Sequence, residues 1–184
     1  MFTDFLRDLQ KAQTGENIVC DVLSKLLGQD DYTIHNVALD KQFYNKGDIS
    51  VTDSWGDTVY IDVKDDSCIC NTGNILAEHR VWIKGKGWGD GFMQKAQYDY
   101  VAYLSQADKK IYILDFALWK KYYKTVFVRH LFINHNGEQT TDGFLMRLDS
   151  ARELGIVVME IIYDEECRAV EVLRGDECDA HPFF

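Results

Sequence analysis

Apolar residues at Phe5, Leu9, Ala12, Val19, Leu23 and Leu26 fall at helical steps of three and four, with position 16 as the one missing member of the stripe. That spacing predicts a helix over about residues 3–27 with one face turned to a core. The pattern then shortens to strand-like runs: 32–39, then a hairpin of 47–52 and 58–62 around the turn 53–57, then 74–83 and the buried-type run 111–115. Phe92, Ala96, Val101 and Leu104, with polar residues between them, predict a helix over 92–105. The segment 84–91 alternates glycine with Lys84, Lys86, Trp88 and Asp90 and predicts a flexible loop. A short basic helix is expected over 117–124. Strands are expected over 126–133 and 155–163, with a helical piece at 150–154, and a loose tail over 176–184. One proline, no low-complexity stretch and no internal repeat leave no visible linker, so the 184 residues are expected to form a single domain.

The run Thr58-Val59-Tyr60-Ile61 leads into Asp62-Val63-Lys64. Residues two apart on a strand share a face, so a carboxylate and an ammonium stand side by side there. The bare pattern is weak: 30 acids and 13 lysines give about two acid-x-Lys pairs by chance, and two occur. The second, Asp108-Lys109-Lys110, lies in a polar turn without an apolar run before it. A hairpin symmetric about Trp55 sets Asp48 opposite Asp62, with Cβ atoms about 5 Å apart. Like charges so placed repel, and a cation between them removes the conflict. The plainer reading is a solvated sheet face with scattered acids, and one residue of slip in the turn would separate the pair.

Position 16, the gap in the helical stripe, is Glu16. A carboxylate on the core side of a helix is costly unless paired or bound to a cation. Two readings follow. The helix breaks at Thr14-Gly15, with Thr14 as N-cap and Glu16 as an exposed first-turn acid, or the helix continues and aims Glu16 at the strands carrying Asp48 and Asp62.

A helical Glu, a strand Asp and an Asp-x-Lys on the next strand together resemble the PD-(D/E)XK nuclease superfamily, over roughly residues 10–115. Glu16 matches the first-helix acid, Asp48 the motif Asp (Lys46-Gly47 standing where the name-giving Pro would be), and Asp62-Val63-Lys64 the (D/E)xK. Thr72-Gly73-Asn74-Ile75 with Glu78, a glycine-rich loop and Lys95-Ala96-Gln97-Tyr98 look like a phage, mobile-element or resolvase-like branch with a Thr-Gly-Asn stretch and a Lys-Ala-x-Tyr helix. Gly89-Asp90-Gly91 occupies the place of that branch's Ser-Gly. Gln94 and Tyr98 fit the Gln-x-x-x-Tyr spacing of another branch. The resemblance implies an α/β (α+β) fold with a restriction-endonuclease-like αβββαβ core. Its central mixed sheet would be flanked by helices, and residues 116–184 would extend the same domain.

It also implies Mg²⁺-dependent hydrolysis of DNA phosphodiesters, with Mn²⁺ able to substitute. Asp48, Asp62, the Val63 carbonyl and Glu16 would hold the metal, and Lys64 would serve the reaction. Gln94, Lys95, Tyr98, Lys84 and Lys86 would hold substrate, and Glu78 would support the metal ligands from behind, the plainer alternative being a surface acid paired with Arg80. The alternative is a catalytically inactive member that keeps the fold as an interaction or nucleic-acid-binding protein.

A net charge of −10 stands against a polyanionic partner, but the average hides a division. Residues 109–130 carry six cations against Asp115 alone, a balance of +5, whereas 138–184 carry four arginines against twelve acids. The Lys120, Lys121 and Lys124 cluster is therefore a candidate outer contact to duplex or branched DNA. No apolar run is long enough to span a membrane and no signal-peptide pattern opens the chain, so a cytoplasmic protein is expected. Five cysteines without a CxxC pair suit a reducing compartment, and Cys68 and Cys70 are expected to be ordinary thiols. His35, His79, His130, His135 and His181 show no zinc spacing. No small-molecule cofactor is implied, and a homodimer would have the terminal Phe183-Phe184 pair as its docking element.

Overall fold

The computed structural model describes residues 2–28, 30–43, 45–135 and 137–175, with side chains from residue 10 onward. The tail 176–184, with His181 and Phe183-Phe184, lies outside the described residues, as do the side chains of Phe5 and Leu9.

The chain begins with α1 (Phe2–Leu27), β1 (Tyr32–Asn36), β2 (Ile49–Asp53), β3 (Thr58–Asp65) and α2 (Ile69–Thr72). Then come β4 (Asn74–Ile83), β5 (Gly87–Asp90), α3 (Phe92–Lys95), β6 (Tyr100–Ser105), β7 (Lys110–Asp115) and α4 (Phe116–Tyr122). The described part ends with β8 (Arg129–His135), β9 (Gln139–Arg147), α5 (Leu148–Glu153), β10 (Val157–Tyr163) and β11 (Ala169–Arg174).

Helix α1 is unbroken through Thr14 and Gly15. Thr14 Oγ1 donates back to the Gln10 carbonyl at 2.9 Å instead of capping a new helix, so the break considered above does not form. Gly15 is buried, and a Cβ there would lie 3.2 Å from Asp65 Cβ. The missing side chain lets the helix settle onto the end of β3. Val19, Val22 and Leu23 are completely buried against the sheet.

The class is the expected mixed α/β, with a mixed central sheet and flanking helices. Seven strands run in the order β1-β2-β3-β6-β7-β10-β11, all neighbours antiparallel except the parallel pair β3/β6. A second, antiparallel sheet has the order β5-β4-β9-β8. One core cluster joins α1 to one face of the central sheet through Ile49, Ile61, Ala102, Leu104 and Ile111. The other joins the opposite face, through Val101, Tyr103 and Leu114, to α4, α5 and the second sheet. Each cluster is close-packed, so truncating Leu23 or Ile61 to Ala should cost about 2–5 kcal/mol.

The register of the hairpin is symmetric about Trp55: Ile49 pairs with Ile61, Val51 with Val59 and Thr52 with Thr58. Asp53 Oδ1 accepts from the backbone N–H groups of Trp55 and Asp57, and Gly56 takes a φ of 94°. These features fix the turn.

Three expectations are corrected. The helix expected over 92–105 is only the single turn α3, ended by extended Ala96 and followed, after irregular Gln97–Asp99, by strand β6. Val101 and Tyr103 point to one core and Ala102 and Leu104 to the other, so this strand is apolar on both faces and lacks the period of two. The loop expected over 84–91 is mostly strand β5, hairpin-paired to β4 through a turn eased by Gly85 at φ 79°. Strand β1 ends at Asn36 rather than Leu39, where a turn begins.

Candidate active site

Asp48 immediately precedes β2 and is positioned by Gly47. Gly47 has φ 131°, and a Cβ there would sit 2.8 Å from the Ile61 carbonyl oxygen. Only glycine allows the backbone so close to β3. Asp48 N then donates to Ile61 O at 2.9 Å. The Asp48 carboxylate extends the ladder beyond the last backbone pair: its Oδ2 accepts from Val63 N at 2.8 Å.

On β3, Ile61 turns to the α1 side, and Asp62 and Lys64 turn to the side facing the second sheet, as the alternation requires. Lys64 Nζ lies 2.6 Å from Asp62 Oδ2, and the side chains retain 34% and 15% exposure. The contact is short and charge-assisted, and Lys64 is the partner that Asp62 Oδ2, otherwise buried, has here. Lys64 Nζ also stands 5.1 Å from the Phe92 ring centroid.

These groups line a cleft of about 650 Å³. Lys11 of α1, Phe43 and Asn45 of the β1–β2 connection, Glu78 of β4, and Lys95 and Tyr98 around α3 complete its walls. Tyr98 is buried with its ring tilted against Phe116, centroids 4.3 Å apart, and its hydroxyl has no hydrogen-bond partner.

Electrostatics mark the cleft as carboxylate-rich. Burial, then the Asp62 charge, push Asp48 up to about 7; Glu16 adds to the rise, and the Val63 N–H and Lys64 oppose it. Burial raises Glu16 as well, Asp62 adds to it, and a hydrogen bond from Asn36 opposes both. For Lys64, burial disfavours the charge most strongly, but Asp62, Asp48 and Glu78 together hold its pKa above the ordinary lysine value. Burial, followed by Asp62, raises Tyr98, which stays a neutral phenol.

The structure therefore brings together Asp48, Asp62, Val63, Lys64, Glu78, Lys95 and Tyr98. Glu16 does not line the cleft. It lines a neighbouring depression with Asn17, Asn36 and Asp40, near enough for its charge to act on Asp48. Gln94 is used internally, its Nε2 donating to the His79 carbonyl at 2.7 Å. With α3 ending at Lys95, Gln94 and Tyr98 are not neighbours on one helix face. Lys84 pairs with Glu138 at 2.8 Å near the hairpin tip, and neither Lys84 nor Lys86 lines the cleft.

Lys11, Asp65 and Asp66 also line it and were missed by sequence reading. The two acids directly following Lys64 were the available signal. Lys11 gave none, because it sits on α1 beside the apolar stripe.

Among the described residues, no group of three or more His, Cys, Asp or Glu side chains is placed to hold a metal ion. A site of two carboxylates, Asp48 and Asp62, still suits Mg²⁺, which keeps several waters and takes one or two carboxylates with substrate phosphate. The purely oxygen donor set and the mutual repulsion of the two carboxylates fit such an ion. No helix among the described residues is long and apolar enough to cross a membrane.

Neither the protein-family models nor the curated proteins contain a match to this chain. Among solved structures, it is similar to a bacterial homing endonuclease, with 13% identity and a TM-score of 0.44 over 61% of this chain and 72% of the other.

Proposed function

We propose that the chain is a divalent-metal-dependent nuclease acting on DNA, with Asp48, Asp62 and Lys64 at its centre. The observation that carries this reading is a cleft lined by two carboxylates, Asp48 and Asp62, that repel each other, with the Lys64 ammonium 2.6 Å from Asp62. The resemblance of Glu16, Asp48 and Asp62-Val63-Lys64 to PD-(D/E)XK nucleases supports it.

Mg²⁺, or Mn²⁺ in its place, would be held by Asp48, Asp62 and the Val63 carbonyl, with Glu16 fixing a second ion or an ordered water. When bound, such an ion supplies an activated water and offsets phosphate charge. Lys64, kept cationic by three carboxylates, orients the attacking water and stabilises negative charge on the phosphorane-like transition state. Glu78 keeps Lys64 charged and in place. Lys95 at the cleft wall pairs with a backbone phosphate near the scissile bond, and the free Tyr98 hydroxyl donates to another phosphate oxygen.

The test is a cleavage panel of linear duplex, single strand and four-way junction with Mg²⁺, Mn²⁺ or EDTA. Metal-dependent cleavage abolished by Asp62→Asn is expected. A chain that cuts none of them is a binding protein on a nuclease-like scaffold.

A further inference from the structure

The second sheet carries a feature unconnected with the cleft. Direct cross-strand partners share a face, which sets Asp90, Arg80, Asp142 and Phe132 in one row across all four strands, with Trp88 opposite Trp82 in the next. Trp88 and Phe132 belong to the two outermost strands, yet their ring centroids lie 6.4 Å apart. The sheet is curled enough for its edges to meet over the Arg80–Asp142 pair.

Beneath this roof Asp142 is 1% exposed and is held by Arg80 at 2.7 Å and His130 at 2.5 Å. The Arg80 guanidinium lies 5.1 Å from the Trp88 ring, and His130 stacks flat on Phe144 at 4.4 Å. The roof itself is open to solvent: Trp88 keeps 49% exposure, Phe132 61% and Phe127, further along the same aromatic run, 41%. Rings serving only to cover Asp142 would be expected to bury more of themselves.

Charge identifies the occupant. In a chain of net charge −10, residues 116–137 carry Lys120, Lys121, Lys124 and Arg129 and no carboxylate. Lys120, Lys121 and Lys124 lie exposed on and just after α4, and Lys124 stands over Tyr123, whose ring meets the Phe144 ring that Phe127 and His130 also touch. Exposed rings interleaved with cations form a stacking platform for unstacked bases with counter-charges for their phosphates. The bases of a blunt duplex are already stacked and gain nothing from the rings.

We propose that the face formed by Trp88, Phe132 and Arg80, continued through Phe127 toward Lys124, binds a single-stranded nucleic-acid segment by base stacking. This rests on the reading of the chain as acting on nucleic acid and narrows it to substrates with an unpaired stretch, such as a flap, bubble or junction arm.

The experiment is fluorescence anisotropy in EDTA, where nothing is cut, with labelled oligo-dT and a blunt duplex of equal length. Phe132→Ala and Trp88→Ala should each weaken oligo-dT binding by about ten-fold and leave duplex binding nearly unchanged, while Phe132→Tyr keeps wild-type affinity. Should the alanine variants fail to fold, tryptophan emission of the wild type decides. Oligo-dT should quench it, and Trp88→Phe should remove most of the quenching while retaining binding. Unchanged oligo-dT affinity in the folded variants, equal losses on duplex, absence of quenching, or destabilisation without loss of binding each overturn the proposal. A chain that shows the stacking signature but cuts nothing with any metal refutes the nuclease reading alone. Duplex cleavage without the signature refutes the platform alone.

Discussion

Two clusters of buried acid, one on each sheet, show what a fold does with carboxylate charge. Asp142 accepts hydrogen bonds from Arg80 Nε at 2.9 Å, Arg80 Nη2 at 2.7 Å and His130 Nε2 at 2.5 Å. Burial pushes its pKa up most strongly among single influences, yet these donors together hold it below the ordinary carboxylate value. Asp48 has one backbone N–H and a shared lysine, faces a second carboxylate, and is pushed up to about 7. The residue type is the same, and the number of donors differs. A saturated acid is part of the scaffold. An acid pair left short of donors is a place where a cation or a reacting phosphate supplies what the protein withholds.

The largest expected effect comes from taking charge out of the unsaturated cluster. Asp62→Asn and Asp48→Asn should each abolish metal-dependent cleavage and leave the fold intact, or more stable, because carboxylate repulsion is relieved. Full activity in either, measured on a nicked-plasmid gel, would refute the assignment. Lys64→Ala should slow cleavage by about 10²-fold or more at saturating metal, with little change in the metal concentration giving half-maximal rate. A normal rate would make the lysine a bystander.

The saturated cluster should respond in stability instead. Asp142→Ala leaves Arg80 and His130 without their acceptor and should destabilise the fold by about 2–4 kcal/mol in urea titration, without changing the cleavage rate of the folded fraction. The two clusters should also tilt stability in opposite directions with pH. The folded pKa of Asp48 lies above its ordinary 3.8. Between about 4 and 7 the folded state therefore binds more protons than the unfolded one, and metal-free stability falls as pH rises through that window. The folded pKa of Asp142 lies below 3.8, so its contribution is present at neutral pH and lost as pH falls through the folded value. Urea midpoints at pH 5 and 8, for wild type and Asp48→Asn in EDTA, measure the first slope, which the variant should lack. The smallest effect concerns the surface: changing Lys120, Lys121 and Lys124 to Gln should weaken nucleic-acid binding and flatten its salt dependence while sparing the rate at saturation.

Much of this was legible in the chain because local rules governed it. The Asp53–Asp57 turn fixed the hairpin register, so the pairing out to Ile49 and Ile61 followed from counting outward from Trp55; Asp48 lies just past the last pair and meets β3 at Ile61 and Val63. The gap in the apolar stripe identified Glu16 as semi-buried, but a stripe cannot say how far a side chain lies from a strand, and Glu16 stands beside the cleft and not in it. Strand β6 was unreadable because both its faces are buried. Strand β9 was missed for the opposite reason: Gln139-Thr140-Thr141-Asp142-Gly143 reads as a polar loop, and Thr141 and Asp142 are 3% and 1% exposed only because tertiary partners receive them. The same dependence on distant partners hid the second sheet altogether.

That second sheet is assembled in an unusual way. One excursion of the chain leaves the central sheet at β3 and returns at its neighbour β6; a second leaves at β7 and returns at its neighbour β10. Each contributes one hairpin, β4–β5 and β8–β9, and the two are joined through β4 and β9. The second joins antiparallel neighbours, Leu114 pairing with Val157, so its ends lie side by side; the first joins the parallel pair, leaving at Asp65 beside Leu104 and returning at Tyr100 beside Ile61, and so must also run back the length of the strand. The arm is thus built in two interlocking halves that the central sheet relies on, since together they cover Val101, Tyr103 and Leu114 and bring Glu78 to the cleft. Neither hairpin can be lost alone, since removing either leaves β4 or β9 as a bare edge open to pairing with another chain.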